Sequence, residues 1–458
     1  MAERFEIVEK ALIKMLEDKK YATLRDILVT MNPSDIAQMF AGLDEKQIPL
    51  LFRLLPKEMA ADTFVEMDSE EQEVLIRGFS DNELKEIIDE LYVDDAADLV
   101  EEMPANVVKR ILRQADPEMR RSINQILCYP ENSAGSLMTT EYVTLRPVMT
   151  VEEAILRIRR QGVDKETIYT CYVTDKNRHL LGFVTVKDLL LAEDDEITVE
   201  EIMQTNVISA STHTDQEEVA QMLSRYNFLA LPVVDTENRL VGIITFDDAM
   251  DVLEEEATED MEIMGGMLPS EKTYLKSTSW ELFKNRIPWL LLLMVGATFT
   301  GIIINAFESA LAAQVVLTAF IPMLMGTGGN SGSQSSVTII RALSLGEVEF
   351  SDLPRVIWKE IRTAVLCGAA LAVVCFIKIW LVDKMLLGAD ITVMVDSVVC
   401  LALFVTVLAA KLVGAVLPLL AKALKLDPAV MASPFITTIV DALSLLVYFL
   451  FAQMLLGI

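Results

Sequence analysis

Long apolar runs fill the C-terminal part of the chain, from Ile287 onward. Each of five runs reaches the length of about 20 residues that a helix needs to cross a bilayer. The second, fourth and fifth also contain glycine, proline or polar residues, which a spanning helix tolerates where neighbouring protein or a cavity satisfies the backbone. The pattern predicts an all-α domain of five membrane helices, at residues 287–307, 315–340, 363–382, 395–420 and 431–456.

Basic residues in the short loops predict the orientation of these helices, since loops rich in lysine and arginine stay in the cytosol. One side of the membrane would carry Lys284, Arg286, Arg341, Arg355, Lys359, Arg362, Lys422 and Lys425. The opposite loops carry Glu308, Asp383, Lys384 and Asp390. We therefore expect a multi-pass protein of the plasma or inner membrane, with a cytosolic N-terminal half and an extracytoplasmic C-terminus.

A 12-residue repeat runs through residues 1–130. Apolar residues recur at that period in two series: Phe40, Phe52, Phe64, Ile76, Ile88, Val100 and Leu112, then Leu43, Leu55, Met67, Phe79, Leu91 and Met103. Residues that favour helix starts follow the second series, namely Asp44, Pro56, Asp68, Ser80 and Pro104. The repeat predicts an all-α superhelical domain of short stacked helices.

Two copies of one β/α pattern follow. They share four residue types at equal spacing: Asp175, Gly182, Thr185 and Asp188 in the first, and Asp235, Gly242, Thr245 and Asp248 in the second. Each copy predicts a strand, a turn at Asp or Asn, a second strand and a helix capped by threonine. The doubled pattern closely resembles the α/β tandem cystathionine-β-synthase-type (CBS) domain pair, here at residues 131–195 and 196–247.

The CBS resemblance implies a nucleotide site. Such pairs often bind adenosine nucleotides through the Thr and Asp of Gly-x-x-Thr-x-x-Asp, which implies ATP or a relative near Tyr172, Thr185, Lys187 and Asp188. In the second copy Asp247 replaces the basic residue, which disfavours a phosphate there. A CBS pair can equally be a structural module without nucleotide, and the sequence leaves that alternative open.

A helix with one acidic face is predicted after the second copy. Asp248, Asp251, Glu255 and Glu259 are spaced three, four and four residues apart, which puts them on one face of a helix that ends at Gly265. Like charges at this spacing destabilise a helix by a few tenths of a kcal/mol per pair, about as much as unlike charges stabilise it. Four in a row indicate that bound cations neutralise them, whereas a single pair would be an ordinary solvated face.

The charge is concentrated in the N-terminal half. Of the net charge of -29, a balance of -28 precedes Ile287, with 58 acidic and 30 basic residues. A surface this acidic repels nucleic acid and attracts cations, although acidity can also serve solubility alone. The chain has two histidines and five cysteines without metal-ligand spacing, which argues against a zinc site and histidine-based catalysis. We expect no enzymatic activity.

Two polar features interrupt the predicted spans. The second span contains Asn330 among glycines and serines, and the fifth contains Asp441 about ten residues from its start. A carboxylate at that depth is costly and usually marks an ion pathway, although a structural pair with Lys378 or Lys411 is the alternative. Asp396 and Lys411 are interpreted as snorkelling or structural residues. One carboxylate with waters and neutral oxygens suits Mg²⁺, which keeps most of its hydration shell.

The parts together resemble the MgtE family of magnesium channels. The most specific elements are residues 329–334 in the second span, residues 256–260 after the CBS pair, and Asp441. The resemblance implies a homodimer with one pore, Asp441 of each subunit at the ion site and Asp427 near the pore mouth. It also implies a plug helix within the connecting segment 248–284, ahead of a membrane domain at 285–458.

The resemblance further implies a set of regulatory Mg²⁺ ligands that bridge the acidic repeat, the second CBS domain and the plug. By position these are Asp62, Asp94, Asp98, Glu217, Asp248, Asp251, Glu255, Glu256, Glu259 and Asp260. Asn227 stands where the family often has an acidic residue. Cytosolic Mg²⁺ would join the domains and close the pore, and without it the acidic halves would repel one another. The alternatives are a CBS-gated channel for another ion and a membrane-anchored nucleotide sensor.

Overall fold

The computed structural model describes residues 11–16, 18–270, 272–388 and 391–457. The chain divides into two compact units, Met1–Leu253 and Glu254–Ile458. The first unit contains a helical repeat followed by two small sheets, and the second contains the long apolar helices. Each unit has its own hydrophobic core.

The helical repeat is confirmed, and its period sets the helix starts. After the helical residues 11–16, the helices are α1 Tyr21–Leu28, α2 Pro33–Phe40, α3 Ile48–Phe52, α4 Lys57–Val65, α5 Ser69–Gly78, α6 Asp81–Ile88, α7 Val93–Glu102, α8 Ala105–Gln114 and α9 Pro117–Ile126. From α4 to α9 the helices begin 12 residues apart. Phe40, Phe52 and Phe64 are buried at that period and form part of one core.

Most predicted helix starts are confirmed. Pro56, Asp68, Ser80 and Pro104 directly precede α4, α5, α6 and α8, and the Ser80 hydroxyl accepts a hydrogen bond from the backbone of Glu83. The helix start predicted at Asp44 is wrong. The chain makes turns after it and α3 begins only at Ile48, with Pro49 in its first turn.

The two β/α copies form two three-stranded sheets. The first contains β1 Tyr142–Leu145, β2 Thr167–Thr174 and β3 Leu180–Thr185, and the second contains β4 Ala210–Ser211, β5 Ala230–Val234 and β6 Leu240–Thr245. In each, the first pair is parallel and the second antiparallel. The accompanying helices are α10 Ala134–Leu137, α11 Val151–Gln161, α12 Val186–Leu190, α13 Val199–Ile202 and α14 Gln216–Tyr226.

The copies exchange short segments. Thr139, before β1, pairs with Ile243 of the second sheet, and Gln204, before β4, pairs with Phe183 of the first. The β2–β3 and β5–β6 turns also meet, since the Leu180 N–H donates to the Asn238 carbonyl at 3.1 Å and the Leu240 N–H donates to the Arg178 carbonyl at 2.9 Å. The pair is therefore one interlocked body.

The acidic helix α15 spans Phe246–Met264 and ends, as predicted, before Gly265. Gly266 has a φ of +72°, a left-handed conformation that glycine adopts without a side-chain clash. Four described helical segments beyond it are long and apolar enough to cross a membrane: Ser279–Ala306, Phe350–Leu386, Val393–Ala423 and Pro428–Leu456.

The second predicted span is not among these four: Val315–Phe320 form a 3₁₀-helix, and the α-helix that follows is more polar than the other long helices. The long helices are α16 Ser279–Ala306, α18 Ile321–Ser344, α19 Leu353–Lys378, α20 Val393–Ala423 and α21 Ser433–Leu456, with the short α17 Glu308–Ala313 after α16. The α19 helix continues as a π-helix, Ile379–Leu386. Small and polar residues lower the hydropathy of α18 below that of its neighbours, and many of them are buried in the helix bundle.

Candidate functional site

Small residues let α18 lie directly against α20 and α21. A Cβ built on Gly414 of α20 would be 2.2 Å from the Gly332 carbonyl oxygen, so the two backbones touch. A Cβ on Gly328 would be 2.7 Å from the Ser444 Oγ, and one on Gly329 would be 3.0 Å from Thr437, both on α21. Glycines at helix contacts are the usual means of close packing in membranes. The glycine-rich motif therefore positions α18 against the helix that carries Asp441.

The opposite face of α18 is polar and uncovered. Gly326, Asn330, Gln334, Thr338 and Arg341 are all exposed and follow at intervals of four or three residues, which places them on one side of the helix. An amide, a hydroxyl and a guanidinium facing hydrocarbon are costly. On a membrane helix, such a stripe requires a water-filled path or another protein surface.

Asp441 is half-buried on α21. Its Oδ1 atom is buried and has no hydrogen-bond partner among the described residues. Val440 and Thr437, on the same helix, contact the glycines of α18. A buried carboxylate oxygen without a donor is the kind of group that a cation or its water would satisfy.

Neither lysine proposed as a structural partner is used by Asp441. The Lys378 Nζ pairs with the Asp383 Oδ2 at 2.8 Å. The Lys411 Nζ donates to the Ser335 Oγ at 3.3 Å, and the Ser335 hydroxyl donates to the Glu360 Oε2 at 2.7 Å. The structural-pair alternative for Asp441 is therefore wrong in this structure.

Of the two interpretations of Asp396 and Lys411, snorkelling or structural, the structure supports the structural one for both. Lys411 is buried, and its ammonium is held by Ser335 inside the bundle. Asp396 is 1% exposed, and its Oδ2 lies 3.5 Å from the Lys384 Nζ. The lateral position of each side chain on its helix, rather than its distance from the helix end, decides whether it can reach water.

The end of α15 lies beside the segment that leads into α21. The Ser344 hydroxyl of α18 donates to the Asp260 Oδ2 at 3.1 Å. Burial raises the pKa of Glu259, and so do the charges of Glu256, Asp427 and Asp260. Burial and the Asp427 charge also raise the pKa of Asp260, against the lowering effects of Ser344 and Arg341. The predicted residues Glu259, Asp260 and Asp427 thus lie near enough for their charges to act on one another.

A second group of carboxylates lies in the first unit, where α7 meets the CBS pair. Burial, followed by the neighbouring charges, raises the pKa of Asp95 and of Asp98 to about 7 and that of Glu166 to about 8. Burial and nearby charges, those of Asp95, Asp248 and Glu166, raise the pKa of Asp94 well above its usual range. The Asp248 charge acts on all four of these carboxyls. We call Asp94, Asp95, Asp98, Glu141, Glu166, Asp247 and Asp248 the acidic cluster.

The sequence prediction found only part of this cluster. It assigned Asp94, Asp98 and Asp248 as ligands but omitted Glu166, Glu141, Asp95 and Asp247. The omitted glutamates were recognisable from the fold. Each glutamate directly precedes one of the two parallel strands β1 and β2, so both lie at the same end of the sheet. The Glu166 N–H donates to the Glu141 carbonyl at 3.0 Å.

The other predicted regulatory residues are more dispersed. Asp62 is exposed, and its charge acts on Tyr92, whose pKa is raised first by burial and then by Glu166, Glu141 and Asp62. Asp251 and Glu255 are exposed on α15, and Glu256 is half-buried. The Glu217 Oε1 accepts a hydrogen bond from Gln221 at 3.1 Å on α14. Across the described residues, no three His, Cys, Asp or Glu side chains converge closely enough to hold a metal ion.

The predicted nucleotide residues fall into two environments. The Thr185 hydroxyl donates to the Asp188 Oδ2 at 2.6 Å and caps α12, and Lys187 is exposed beside them. Tyr172 is 1% exposed, and its hydroxyl donates to the Ala230 carbonyl at 3.2 Å. Tyr172 is therefore a core residue between the two copies, where it packs with Leu180 of the first and Ala230 of the second.

The raised pKa values lead to a stability prediction. A carboxyl whose folded pKa lies above its unfolded value of about 4 stabilises the fold below pH 4 and loses that contribution as the pH rises through 7 to 8. Without divalent ions, we expect the melting temperature of the first unit to fall between pH 5 and pH 8. Saturating Mg²⁺, at about 100 times its Kd, should restore roughly 5–10 °C at pH 8 and much less at pH 6.

Thermal unfolding of the full chain in detergent at both pH values checks this prediction. Glu166→Gln should flatten the pH dependence, since it removes a half-buried titrating group, and Glu193→Gln, at an exposed position outside the acidic cluster, should leave it unchanged. An equal Mg²⁺ effect at pH 6 and pH 8 would contradict ion binding at these carboxylates.

Comparisons with known proteins cover nearly the whole chain. Residues 321–451 match the MgtE divalent cation transporter family, residues 31–132 the MgtE intracellular N domain, and residues 134–195 and 199–255 the CBS domain. The magnesium transporter MgtE of Thermus thermophilus is 38% identical over 97% of this chain and 98% of its own length. The magnesium transporter MgtE of Bacillus subtilis is 34% identical over 96% of this chain and 95% of its own length.

Solved structures give the same result for the first unit. The cytosolic domain of the Mg²⁺ channel MgtE in complex with ATP is 38% identical, with a TM-score of 0.51 over 53% of this chain and 99% of that one. The soluble part of a magnesium transporter is 30% identical, with a TM-score of 0.51 over 55% of this chain and 99% of that one. By its sequence over nearly its full length and by the fold of its N-terminal half, this chain belongs to the MgtE family of magnesium transporters.

Proposed function

We propose that this protein is a homodimeric, multi-pass membrane channel that admits Mg²⁺ down its electrochemical gradient and closes when cytosolic Mg²⁺ is plentiful. The observation that carries the proposal is the position of Asp441, a half-buried carboxylate with an unpartnered oxygen on a membrane helix. Its neighbours on α21 pack against the glycine motif of α18. The magnesium transporters of Thermus thermophilus and Bacillus subtilis support the choice of ion.

The polar stripe of α18 supports a pore between two subunits. It is exposed on the single chain and too polar for lipid. A second copy related by a two-fold axis would face it with the same stripe, and the two would enclose a wet path. Two Asp441 carboxylates around such a path can hold a divalent cation that retains its inner waters.

The acidic helix α15 is the proposed link between sensing and conduction. One end carries Asp248 of the acidic cluster, and the other carries Glu259 and Asp260 beside Asp427. Mg²⁺ bound among these carboxylates would remove their mutual repulsion and hold the helix over the mouth of the pore. The ion shifts this equilibrium only as far as it prefers the closed form. The lysines and arginines in the short loops on one side of the membrane support a cytosolic position for these domains.

A nucleotide is a further proposed ligand of the CBS pair. The structural relative was solved as a complex with ATP. Thr185, Lys187 and Asp188 are the residues of this chain that fit a sugar and phosphate, whereas Tyr172 is removed from this set by its burial. An anion channel is disfavoured because Asp441 would repel anions, and a transport-free sensor leaves the polar stripe without a role.

Uptake by cells that lack their own magnesium transporters tests the proposal. Expression of the full chain should restore growth in low Mg²⁺, and Glu347→Gln, in the exposed loop after α18, should do so equally. Growth that stays dependent on added Mg²⁺, with the protein present in the membrane, would overturn it.

A further inference from the structure

A small cavity lies where the turns of the two CBS copies meet. Its volume is about 280 Å³, and it is lined by Arg146, Arg178, Tyr142 and three threonines, Thr140, Thr144 and Thr174. It shares no residue with the proposed nucleotide site at Thr185, Lys187 and Asp188. The threonine, tyrosine and arginine side chains all offer hydrogen-bond donors.

The charge of this cavity is opposite to that of the protein. The chain has 68 acidic and 39 basic residues, yet two arginines and no carboxylate of the described residues line the cavity. A cation would be repelled here, and an anion would be attracted. The cavity is therefore distinct in chemistry from the carboxylate groups that the proposed regulation uses.

The backbone at Arg178 is unusual. Its φ is +70°, in the left-handed region that residues other than glycine and asparagine adopt less often. The equivalent residue of the second copy, in the same turn, is Asn238, with a φ of +60°. Asparagine fits this turn with less strain, so the turn itself does not require an arginine.

Hydrogen bonds orient the guanidinium groups of Arg146 and Arg178. The Arg178 Nη2 donates to the Tyr142 hydroxyl at 3.1 Å and to the Leu240 carbonyl at 3.0 Å. The Arg146 Nη1 donates to the Thr174 carbonyl at 3.1 Å and to the Asp175 carbonyl. Each guanidinium has five N–H donors, and the contacts with described residues engage one nitrogen of each, so the other nitrogens can donate to a ligand.

We infer that this cavity binds a small phosphate-type dianion, such as a diphosphate or the phosphate of a monoester, between Arg146 and Arg178. Paired guanidinium groups bind phosphate oxygens with geometric specificity that lysines lack. The volume lies just below the range of about 300–1,000 Å³ that is typical of sites for drug-sized ligands. A diphosphate or a nucleoside monophosphate therefore suits the cavity better than a nucleoside triphosphate.

Calorimetric titration of the full chain in detergent tests the inference, with diphosphate and AMP as separate probes in magnesium-free buffer. We expect one diphosphate per chain, and Arg178→Asn should weaken its affinity at least about 10-fold, the cost of losing a charged hydrogen-bonding partner. Because this change introduces the residue type of the equivalent turn, the melting temperature should not fall. Arg239→Gln is the matched control, since Arg239 pairs with Glu237 in the second turn and does not line the cavity.

The two probes identify the source of the phosphate. Tighter binding of AMP than of diphosphate, lost in Arg178→Asn, assigns a nucleoside monophosphate to this cavity, and the reverse order assigns a free phosphate compound. The inference is overturned if neither probe binds the wild-type chain. It is also overturned if Arg178→Asn binds as tightly as the wild type, or if Asp188→Asn rather than Arg178→Asn abolishes binding.

Discussion

Asp441→Ala should reduce Mg²⁺ flux into liposomes to the level of liposomes without protein. Asp441 is the charged residue of α21, Ser433–Leu456. Its buried Oδ1 has no hydrogen-bond partner among the described residues, so the change breaks no hydrogen bond of that atom. Removing an unsatisfied buried carboxylate also removes a desolvation cost. The variant should therefore be as stable as the wild type or more stable, while it no longer conducts.

Two further variants separate charge from shape at this position. Asp441→Asn keeps the size and should fail like the alanine variant, and Asp441→Glu should conduct poorly because the longer side chain displaces the hydrated ion. Glu347→Gln, an exposed carboxylate outside the helices, is the control and should conduct normally. Wild-type flux through Asp441→Ala would refute the assignment of the ion site.

Neutralising the acidic face of α15 should leave the channel open at Mg²⁺ levels that normally close it. The change of Asp248, Asp251, Glu255 and Glu259 to Asn or Gln has two opposing effects. It removes carboxylates that bind bridging ions, which favours opening, and it removes like-charge repulsion, which favours the compact closed form.

The relative size of these effects can be judged from their range. At physiological salt, repulsion is screened beyond a Debye length of about 8 Å, so it is spread over many of the 68 acidic residues and four changes alter it little. An ion-binding site is local, and the Asp248 charge acts on Asp94, Asp95, Asp98 and Glu166 together. Loss of ion binding should dominate, and the variant should conduct constitutively.

A matched variant removes the same charge elsewhere. Asp26, Glu45, Glu193 and Glu196 are exposed carboxylates outside the acidic cluster, and their neutralisation should leave the closure by Mg²⁺ intact. Flux measured at low and high internal Mg²⁺ compares the two. Closure of both variants even in low Mg²⁺ would show that general repulsion, rather than ion bridging, keeps the channel open.

Periodic features of this protein could be predicted from the sequence. The 12-residue repeat predicts which residues of the N-terminal helices are buried, because burial recurs with that period, and the doubled β/α pattern predicts the two sheets. The acidic face of α15 was predicted for the same reason. Asp441 could be recognised as a candidate site residue because a carboxylate within a long apolar run is costly and seldom serves solubility or packing alone.

Features that depend on two distant segments could not be predicted in this way. The acidic cluster needs the register of β1 against β2, which brings Glu141 beside Glu166. The burial of Lys411 depends on Ser335 and Glu360 from two other helices. The left-handed backbone of Arg178 shows that local residue preference, which favours asparagine there, was overridden.

The most direct test of ion-controlled conduction is the Mg²⁺ current across a membrane patch that contains the wild-type chain. The solution on the face that carries the proposed cytosolic domains is stepped from chelator to millimolar Mg²⁺ and back. We predict a current in chelator that closes in Mg²⁺ and returns when the ion is removed. A current that is the same in both solutions would contradict the proposed gating.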